Sequence, residues 1–336
     1  MDRFHKRMIL AAGAILVVIL ALLSIAYGST VVPLPDVLNA LAHAAGLADL
    51  TATTPVERII VDLRLPRVIL GICVGAGLGI VGAMLQTVTR NDLADPFLFG
   101  LSSGAAAGAV SVISLFGDRF GIWTLPVAAF SGGMLAATIV LLLVRRVLGQ
   151  GPERMILAGL AVSFLFAALT NYMVFSGDQR AAHSVMFWTL GGLGLARWEN
   201  LPLAAFGLAV ILVYALRNHR NLDAFLAGEN TAESLGVRVH HTRNIVFIIC
   251  AFSTAIFVSV AGVIGFVGLM IPHIARHLGG QLHAGLVVTC ALLGAMLILL
   301  SDLAARLLLA PQELPIGIVT SSVGAFFVVT LLLRRR

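Results

Sequence analysis

The residues able to do chemistry in this 336-residue chain are few, and their spacing excludes more than it offers. The single lysine, Lys6, sits in Phe4-His5-Lys6-Arg7 with no glycine before it. A phosphate-cradling loop needs G-x-x-x-x-G-K-[ST], whose lysine reaches the terminal phosphates, and the chain has no such segment. If ATP drives this protein, the ATPase is another chain. Cys73, Cys250 and Cys290 lie singly in apolar runs and read as small hydrophobes, without paired metal or disulfide spacing. His240 and His241 read as solvated rather than metal-bound. No catalytic residue and no metal site is expected, and no cofactor of the chain's own.

The acidic groups point the same way. All 16 fall in connections or at run ends, for example Asp92, Asp95, Glu153 and Asp302. A proton- or sodium-coupled transporter keeps an ionisable group at mid-membrane despite its cost, although backbone carbonyls also bind sodium. A charged-ring selectivity filter is equally missing.

These residues are spread through a very apolar chain. It is 59% apolar and 11% charged, with a mean hydropathy of +1.01, whereas a soluble domain is about a quarter charged. That excludes a soluble enzyme, a disordered tail or a collagen-like fibre, and makes lipid the solvent. The 22 basic against 16 acidic residues give a net charge of +6. They are scattered singly, with no stripe or patch for nucleic acid.

A membrane helix needs about 20 mostly apolar residues. The uncharged runs are Met8–Tyr27, Val68–Val88, Phe97–Gly117, Gly121–Val144 and Met155–Gly177, then Leu201–Leu216, Ile245–Pro272, Ala284–Leu300 and Pro315–Leu333. Met8–Tyr27 is too long for the core of a cleaved signal peptide and reads as a retained crossing. Gly262, Gly265 and Gly268 interrupt Ile245–Pro272, which reads as a full span followed by a short helix, Ile264–Arg276. The expectation is an all-α polytopic membrane protein of about ten transmembrane helices, one domain over 1–336. The stretch 28–62 is expected to hold a short amphipathic surface helix near Leu38–Leu47. An even count puts both termini on one side, where 15 basic residues fall against seven opposite; the positive-inside bias makes that side cytoplasmic. Eight crossings would be even as well.

Glycines recur every fourth residue at Gly71, Gly75 and Gly79, and again at Gly100, Gly104 and Gly108. Small residues at this spacing let membrane helices approach closely, so packing is their first reading. The polar residues within runs, such as Gln86, Ser102, Ser103, Thr170, Asn171, Ser253, Ser259 and Thr320, read as interhelical hydrogen-bonders.

Several segments, in order, form a recognisable set. Leu63-Arg64-Leu65-Pro66-Arg67 precedes a glycine-rich span ending Gly82-Ala83-Met84-Leu85-Gln86. Arg90-Asn91-Asp92-Leu93-Ala94-Asp95-Pro96 and Gly100-Leu101-Ser102-Ser103-Gly104-Ala105 follow. Gly262-Val263-Ile264-Gly265-Phe266-Val267-Gly268-Leu269, Pro272-His273-Ile274-Ala275-Arg276, Asp302-Leu303-Ala304-Ala305-Arg306 and Glu313-Leu314-Pro315-Ile316-Gly317 complete it, with Thr320 and Gly324-Ala325 after them. From about residue 60 onward the chain resembles the FecCD family, permease subunits of ATP-binding-cassette (ABC) importers for ferric siderophores, haem and cobalamin. Asp92 stands where that family usually has proline, and Phe326 where Gly-Ala-Pro is usual.

The resemblance implies a type II ABC importer permease fold in the bacterial inner membrane. Its implied partners are a second permease subunit (a homodimer or a close paralogue), two cytoplasmic ATPases that bind the ATP and magnesium, and a periplasmic binding protein. It also implies three sites. On the outer face Arg64, Arg67 and Arg306 receive acidic residues of the binding protein, a role that suits the planar guanidinium fork; headgroup contact or an internal pair such as Arg306 with Asp302 is the alternative. In the cytoplasmic connection 217–243, two short helices carry Leu222, Phe225, Leu226, Gly228, Glu229, Ala232, Leu235 and Gly236 into the ATPase cleft. Gly228 and Gly236 each end a helical pattern, and exposed Leu and Phe side chains there need a partner to cover them. At the cytoplasmic mouth Asn91, Leu93 and Glu153 form the gate.

The stretch from Ser176 through Asp178, Gln179, Arg180, His183, Met186, Phe187 and Trp188 to Gly192 is the candidate wall for a bulky chelate, with His183 as a possible haem ligand. Interfacial anchoring explains Trp188 and Trp198 equally well. The expected function is import of an iron complex, ferric siderophore first, with haem or cobalamin as alternatives. The opposing class is a stand-alone secondary transporter or channel.

Overall fold

Backbone in hydrocarbon must satisfy its own N–H and C=O groups, so apolar runs of this length become helices. The computed structural model of the chain describes residues 3–28, 30–47, 54–115, 121, 123–148, 151–177 and 179–334. Its helices are α1 (Arg3–Ala26), α2 (Leu34–Ala44), α3 (Pro55–Arg58), α4 (Leu65–Thr89) and α5 (Leu101–Leu115). Then come α6 (Thr124–Leu143), α7 (Pro152–Ser176), α8 (Gln179–Thr189), α9 (Leu201–Arg217) and α10 (His219–Leu226). The last five are α11 (Glu229–Ser234), α12 (Val239–Ala261), α13 (Val267–Gly279), α14 (His283–Leu307) and α15 (Ile316–Arg334). No strand occurs among the described residues.

Each expected run carries a helix. Among the described residues seven helices are long and apolar enough to cross a membrane, and α9 with α10 forms an eighth candidate bent by 65°. The other two are short. At 1.5 Å per residue, α5 with 15 residues and α13 with 13 fall short of a hydrocarbon core about 30 Å thick. About ten membrane helices is therefore an approximate count.

The second span begins earlier than its uncharged core suggested. Pro55 starts a helix that passes through a π-helical turn, Ile59–Arg64, directly into α4. Leu65 N–H bonds the carbonyl of Ile60, and Pro66, which has no N–H to give, follows that widened turn. Arg64 and Arg67 therefore stand on a continuous helix. The amphipathic helix expected near Leu38–Leu47 is α2, with Val37 and Ala40 turned inward.

Glycine decides the packing. Of the apolar window of the Pro55–Thr89 helix, 89% is buried inside the molecule, against 22% for α1 and α15. A Cβ at Gly75 would collide with the backbone carbonyl of Gly294 on α14, and one at Gly82 with the backbone of Gly268 on α13. On α5, Gly104 and Gly108 meet Gly132 and Ala128 of α6 in the same way. Helices that approach this closely gain the dispersion contacts that replace hydrophobic drive in lipid.

Between α12 and α13 the chain unwinds over residues 262–266. Gly262 (φ 66°) and Phe266 (φ 67°) are left-handed there. The unwound backbone packs beside the turn after α8 and the start of α15. Gly192 N–H donates to Ala261 O at 2.9 Å, and Ile316 and Gly317 donate to Gly191 O and Leu190 O, each at 3.0 Å.

Candidate functional site

On one end of the bundle Arg67 and Arg306 converge on a shared acid, Asp302, while Arg64 binds backbone and hydroxyl oxygens nearby. Arg67 Nε donates to Asp302 Oδ1 at 2.8 Å and its Nη1 to Glu313 Oε2 at 2.9 Å. Arg306 Nε pairs with Asp302 Oδ2 at 2.9 Å, one helical turn along α14. Arg306 also donates to Tyr27 O at 2.8 Å, Ser24 O at 2.9 Å and Ser24 Oγ at 2.6 Å. Arg64 donates to Ile25 O at 2.6 Å, Ala26 O at 3.0 Å, Thr30 O at 2.5 Å and Thr30 Oγ1 at 2.9 Å.

These contacts change how the three are read. Arg64 and Arg306 are buried and fasten the end of α1, so neither guanidinium stands free on the surface. The internal Arg306–Asp302 pair is present. Arg67, with 14% of its side chain exposed, and Glu313, with 41%, are the members that reach the surface. The reason is arithmetic of acceptors: the last carbonyls of α1 have no helical partners, and guanidinium forks satisfy several at once.

Beside Arg67 opens a cavity of about 870 Å³, walled in part by Phe187, Trp188, Arg197, Ser259 and Glu313. The wall stretch singled out in the sequence is largely helix α8. Trp188 is buried there, while Trp198 donates its indole N–H to Val61 O at 3.0 Å. Asp178 and the side chains of Gln179, Arg180 and His183 lie outside the described residues.

At the opposite end of α4, three consecutive residues bond directly to α12, α13 and α14, and through them to α10 and α11. Gln86 Nε2 donates to Gly268 O at 3.2 Å and Leu269 O at 3.1 Å. Pro272 lies one turn beyond Gly268 in α13 and has no N–H to offer it; Gln86 supplies the missing donor. Gln86 Oε1 accepts from Arg276 Nη1 at 2.7 Å. Thr87 Oγ1 lies 2.8 Å from His283 Nε2 at the start of α14, and His283 Nδ1 donates to Asp223 Oδ1 on α10 at 2.7 Å. The same Oδ1 accepts the backbone N–H of His283 at 2.8 Å, capping α14 from another helix. Val88 O accepts from Arg243 Nε at 2.9 Å, and Arg243 Nη2 donates to Glu229 Oε1 on α11 at 2.6 Å.

The two short helices of the connection are α10 and α11. Gly228 (φ 100°) and Gly236 (φ 85°) are left-handed, as helix-ending glycines are, and Gly228 also opens α11. Their apolar residues are not all presented outward. Leu222, Phe225 and Ala232 are buried in the molecule's own core beside Val88 and Met155. Leu226 and Leu235 remain exposed. The amphipathic period of α10 puts positions 222 and 225 on the inner face, which corrects the reading of that whole set as an open surface.

After Val88 and Thr89, Arg90 takes a left-handed conformation (φ 49°) and ends α4. Asn91 Oδ1 accepts Leu93 N–H at 2.9 Å, closing a tight loop. Asp92, in the family's proline position, pairs with Arg276 Nη1 at 3.3 Å, so an ion pair holds the loop there. Leu93 is exposed, as is Glu153 in the first turn of α7. Asp95 Oδ1 accepts Phe97 N–H at 2.9 Å. Burial pushes the Asp95 carboxyl up to about 6, against the lowering pull of backbone bonds from Phe97 and Leu269. Phe326, the other departure, projects outward.

Sequence reasoning missed Thr87, Asp223, Arg243, Arg276 and His283 as a set. Their polar types inside or beside apolar runs were the available signal, but only the folded register brings them together. Among the described residues no cluster of three or more His, Cys, Asp or Glu side chains is placed to hold a metal ion.

Comparison with known proteins places this architecture. The model of the FecCD transport family matches residues 16–334. A protein of Methanocaldococcus jannaschii named as an ABC transporter permease is 38% identical over 289 residues, covering 83% of this chain and 82% of that protein. The vitamin B12 import system permease protein BtuC of Salmonella paratyphi A is 35% identical over 278 residues, covering 83% and 84%. A solved structure described as an inward-facing conformation of a metal-chelate-type ABC transporter superposes with a TM-score of 0.84 at 30% identity, covering 98% of this chain and 99% of that one.

Proposed function

Because the chain belongs to the FecCD transport family, we propose that it is the membrane-spanning subunit of an ATP-driven importer in a bacterial inner membrane, with both termini in the cytoplasm. It works with a second permease subunit, two cytoplasmic ATPases and a periplasmic binding protein. The single observation that carries this reading is the convergence of α10, α11, α12, α13 and α14 on Gln86, Thr87 and Val88, next to the Asn91–Leu93 loop. A chain without a phosphate-binding loop needs an external motor, and this junction is where a force applied to α10 and α11 reaches a loop able to gate.

In this reading a loaded binding protein docks at the outer arginines, with Arg67 in direct contact and Arg64 and Arg306 holding the platform beneath. Substrate passes between two permease subunits. Closure of the ATPases moves α10 and α11, where Leu226, Leu235 and Glu229 face the partner, and Asn91, Leu93 and Glu153 respond. A partner that bound both conformations equally would shift nothing, so the ATPase must prefer one.

The cargo is a metal chelate or a corrinoid. We place ferric siderophores first, then haem, then cobalamin; the uncharged spans and the Trp188-lined cavity suit a bulky chelate in each case. Reconstitution into liposomes tests the proposal. Uptake of a ferric hydroxamate that needs the ATPase, the binding protein and ATP is the expected result. Accumulation by the purified chain alone would replace this reading with the secondary transporter, and uptake of vitamin B12 but not the iron chelate would move the cargo to corrinoids.

A further inference from the structure

Two separate struts run from the cytoplasmic connection to neighbouring residues of α4. One passes from Asp223 on α10 through the fully buried His283 to Thr87. The other passes from Glu229 on α11 through the buried Arg243 to the carbonyl of Val88. Both end within the last turn of α4, immediately before left-handed Arg90 and the loop that carries Leu93.

We propose that Asp223–His283–Thr87 and Glu229–Arg243–Val88 are the elements that transmit movement of α10 and α11 to the Asn91–Leu93 loop. The inference rests on the function proposed above and deepens it. These residues are positioning residues: they touch neither nucleotide nor cargo.

The chemistry favours transmission over simple adhesion. The Asp223 carboxylate can only accept, so His283 Nδ1 is the donor to it, and Nε2, bare in the neutral ring, accepts from Thr87 Oγ1, whose proton also has Ala83 O within 2.8 Å. Both imidazole nitrogens are then committed, and the ring is a rigid spacer of fixed length. Arg243 is a planar fork with one arm on each side, Nε toward α4 and Nη2 toward α11, so it spans the gap as a unit. Val88 O would ordinarily accept the N–H four residues on, but the helix has ended; the bond from Arg243 therefore grips an acceptor at the point where the chain is free to turn. Two short polar links to adjacent residues fix a rotation as well as a distance, whereas apolar packing alone would let α10 slide over α4.

The test uses the whole complex with its ATPase and binding protein, carrying Leu93→Cys as an accessibility reporter. The native thiols Cys73, Cys250 and Cys290 are buried. The rate of maleimide labelling at position 93 is measured by mass spectrometry of this chain, with and without ATP and vanadate. In the reporter complex nucleotide must change the rate; if it does not, the proposed function fails and not the struts alone. Thr87→Val removes the hydroxyl at constant shape, and Arg243→Lys keeps the charge while removing the fork. Each is expected to reduce the nucleotide-dependent change about fivefold, the population shift one hydrogen bond makes, while ATP hydrolysis by the assembled complex stays within about twofold. Thr87→Ser, which keeps the hydroxyl, is expected to restore the response. The inference is overturned if both variants keep the full response. It is equally overturned if hydrolysis and assembly fall in parallel with the response in both, since that is what a merely structural contact would do.

Discussion

Arg67 and Asp302 are joined by a 2.8 Å hydrogen bond although 235 residues separate them, and Asp302 has a second arginine, Arg306, on its other oxygen. With one carboxylate balancing two guanidinium groups, its removal is costly. Asp302→Ala is expected to destabilise the subunit by about 3–5 kcal/mol, the range for stripping a partner from a buried charge. Thermal unfolding in detergent measures this, and an unchanged midpoint would show that Glu313 alone balances both arginines.

Arg64 and Arg67 are expected to separate in experiment. On the proposed docking, Arg67→Gln removes the charge an acidic partner would meet but keeps an amide donor for Asp302, so it should abolish binding-protein capture with a smaller drop in the unfolding midpoint than Asp302→Ala. Arg64→Ala strips acceptors at Ile25, Ala26 and Thr30 of their donor, at about 1–3 kcal/mol per unsatisfied buried group. It should lower the midpoint first. Surface-capture binding and calorimetry on the same samples distinguish them.

Close helix approach makes a further contrast. Gly75→Ala drives a Cβ into the Gly294 carbonyl, whereas a Cβ at Gly192 meets nothing within 4 Å. We expect Gly75→Ala to destabilise by about 1–3 kcal/mol, the usual cost of overpacking, and Gly192→Ala to be near neutral. Folded yield on size-exclusion chromatography reports both.

Asp95 predicts a pH dependence. Its carboxyl is raised from 3.8 to about 6 by burial, so the folded state binds the proton more tightly than the unfolded state. The neutral form's advantage is fully present below about pH 4 and is lost as pH rises through about 6, an effect of roughly 3 kcal/mol at 1.36 kcal/mol per unit. Asp95→Asn keeps an acceptor for Phe97 N–H and cannot ionise. Its stability should be flat between pH 4 and 6.5 where the parent declines, as followed by thermal unfolding across that range.

Much of the architecture was legible because lipid imposes a simple rule on runs such as Met155–Gly177 and Ala284–Leu300: an uncharged stretch must be a helix. The break at Gly262–Gly268 was legible for a related reason, since the uncharged run Ile245–Pro272 is too long for one crossing and the glycines mark where it can unwind. What escaped was register. The amphipathic period of α10 sets Leu222 and Phe225 on one face, but nothing local states whether that face meets the chain's own core or another protein. Arg64 and Arg306 share the difficulty. Arginine types near the end of an apolar run fit a surface dock and an internal clasp equally, and only the position of the α1 carbonyls decides. The partnership of Gln86 with Pro272 was readable in principle, because a proline inside a helix always leaves a carbonyl seeking a donor.

The burial of α4 has a consequence for how the molecule is made. During synthesis this segment must enter the bilayer before most of its eventual neighbours exist, and its apolar character is sufficient for that. Its rows of glycine then face acyl chains, a poor match of shape, until α12, α13 and α14 emerge from the ribosome more than 150 residues later and displace the lipid. Biogenesis thus ends from the inside outward, and a truncated chain lacking those last helices would leave its own centre bare to quality-control proteases.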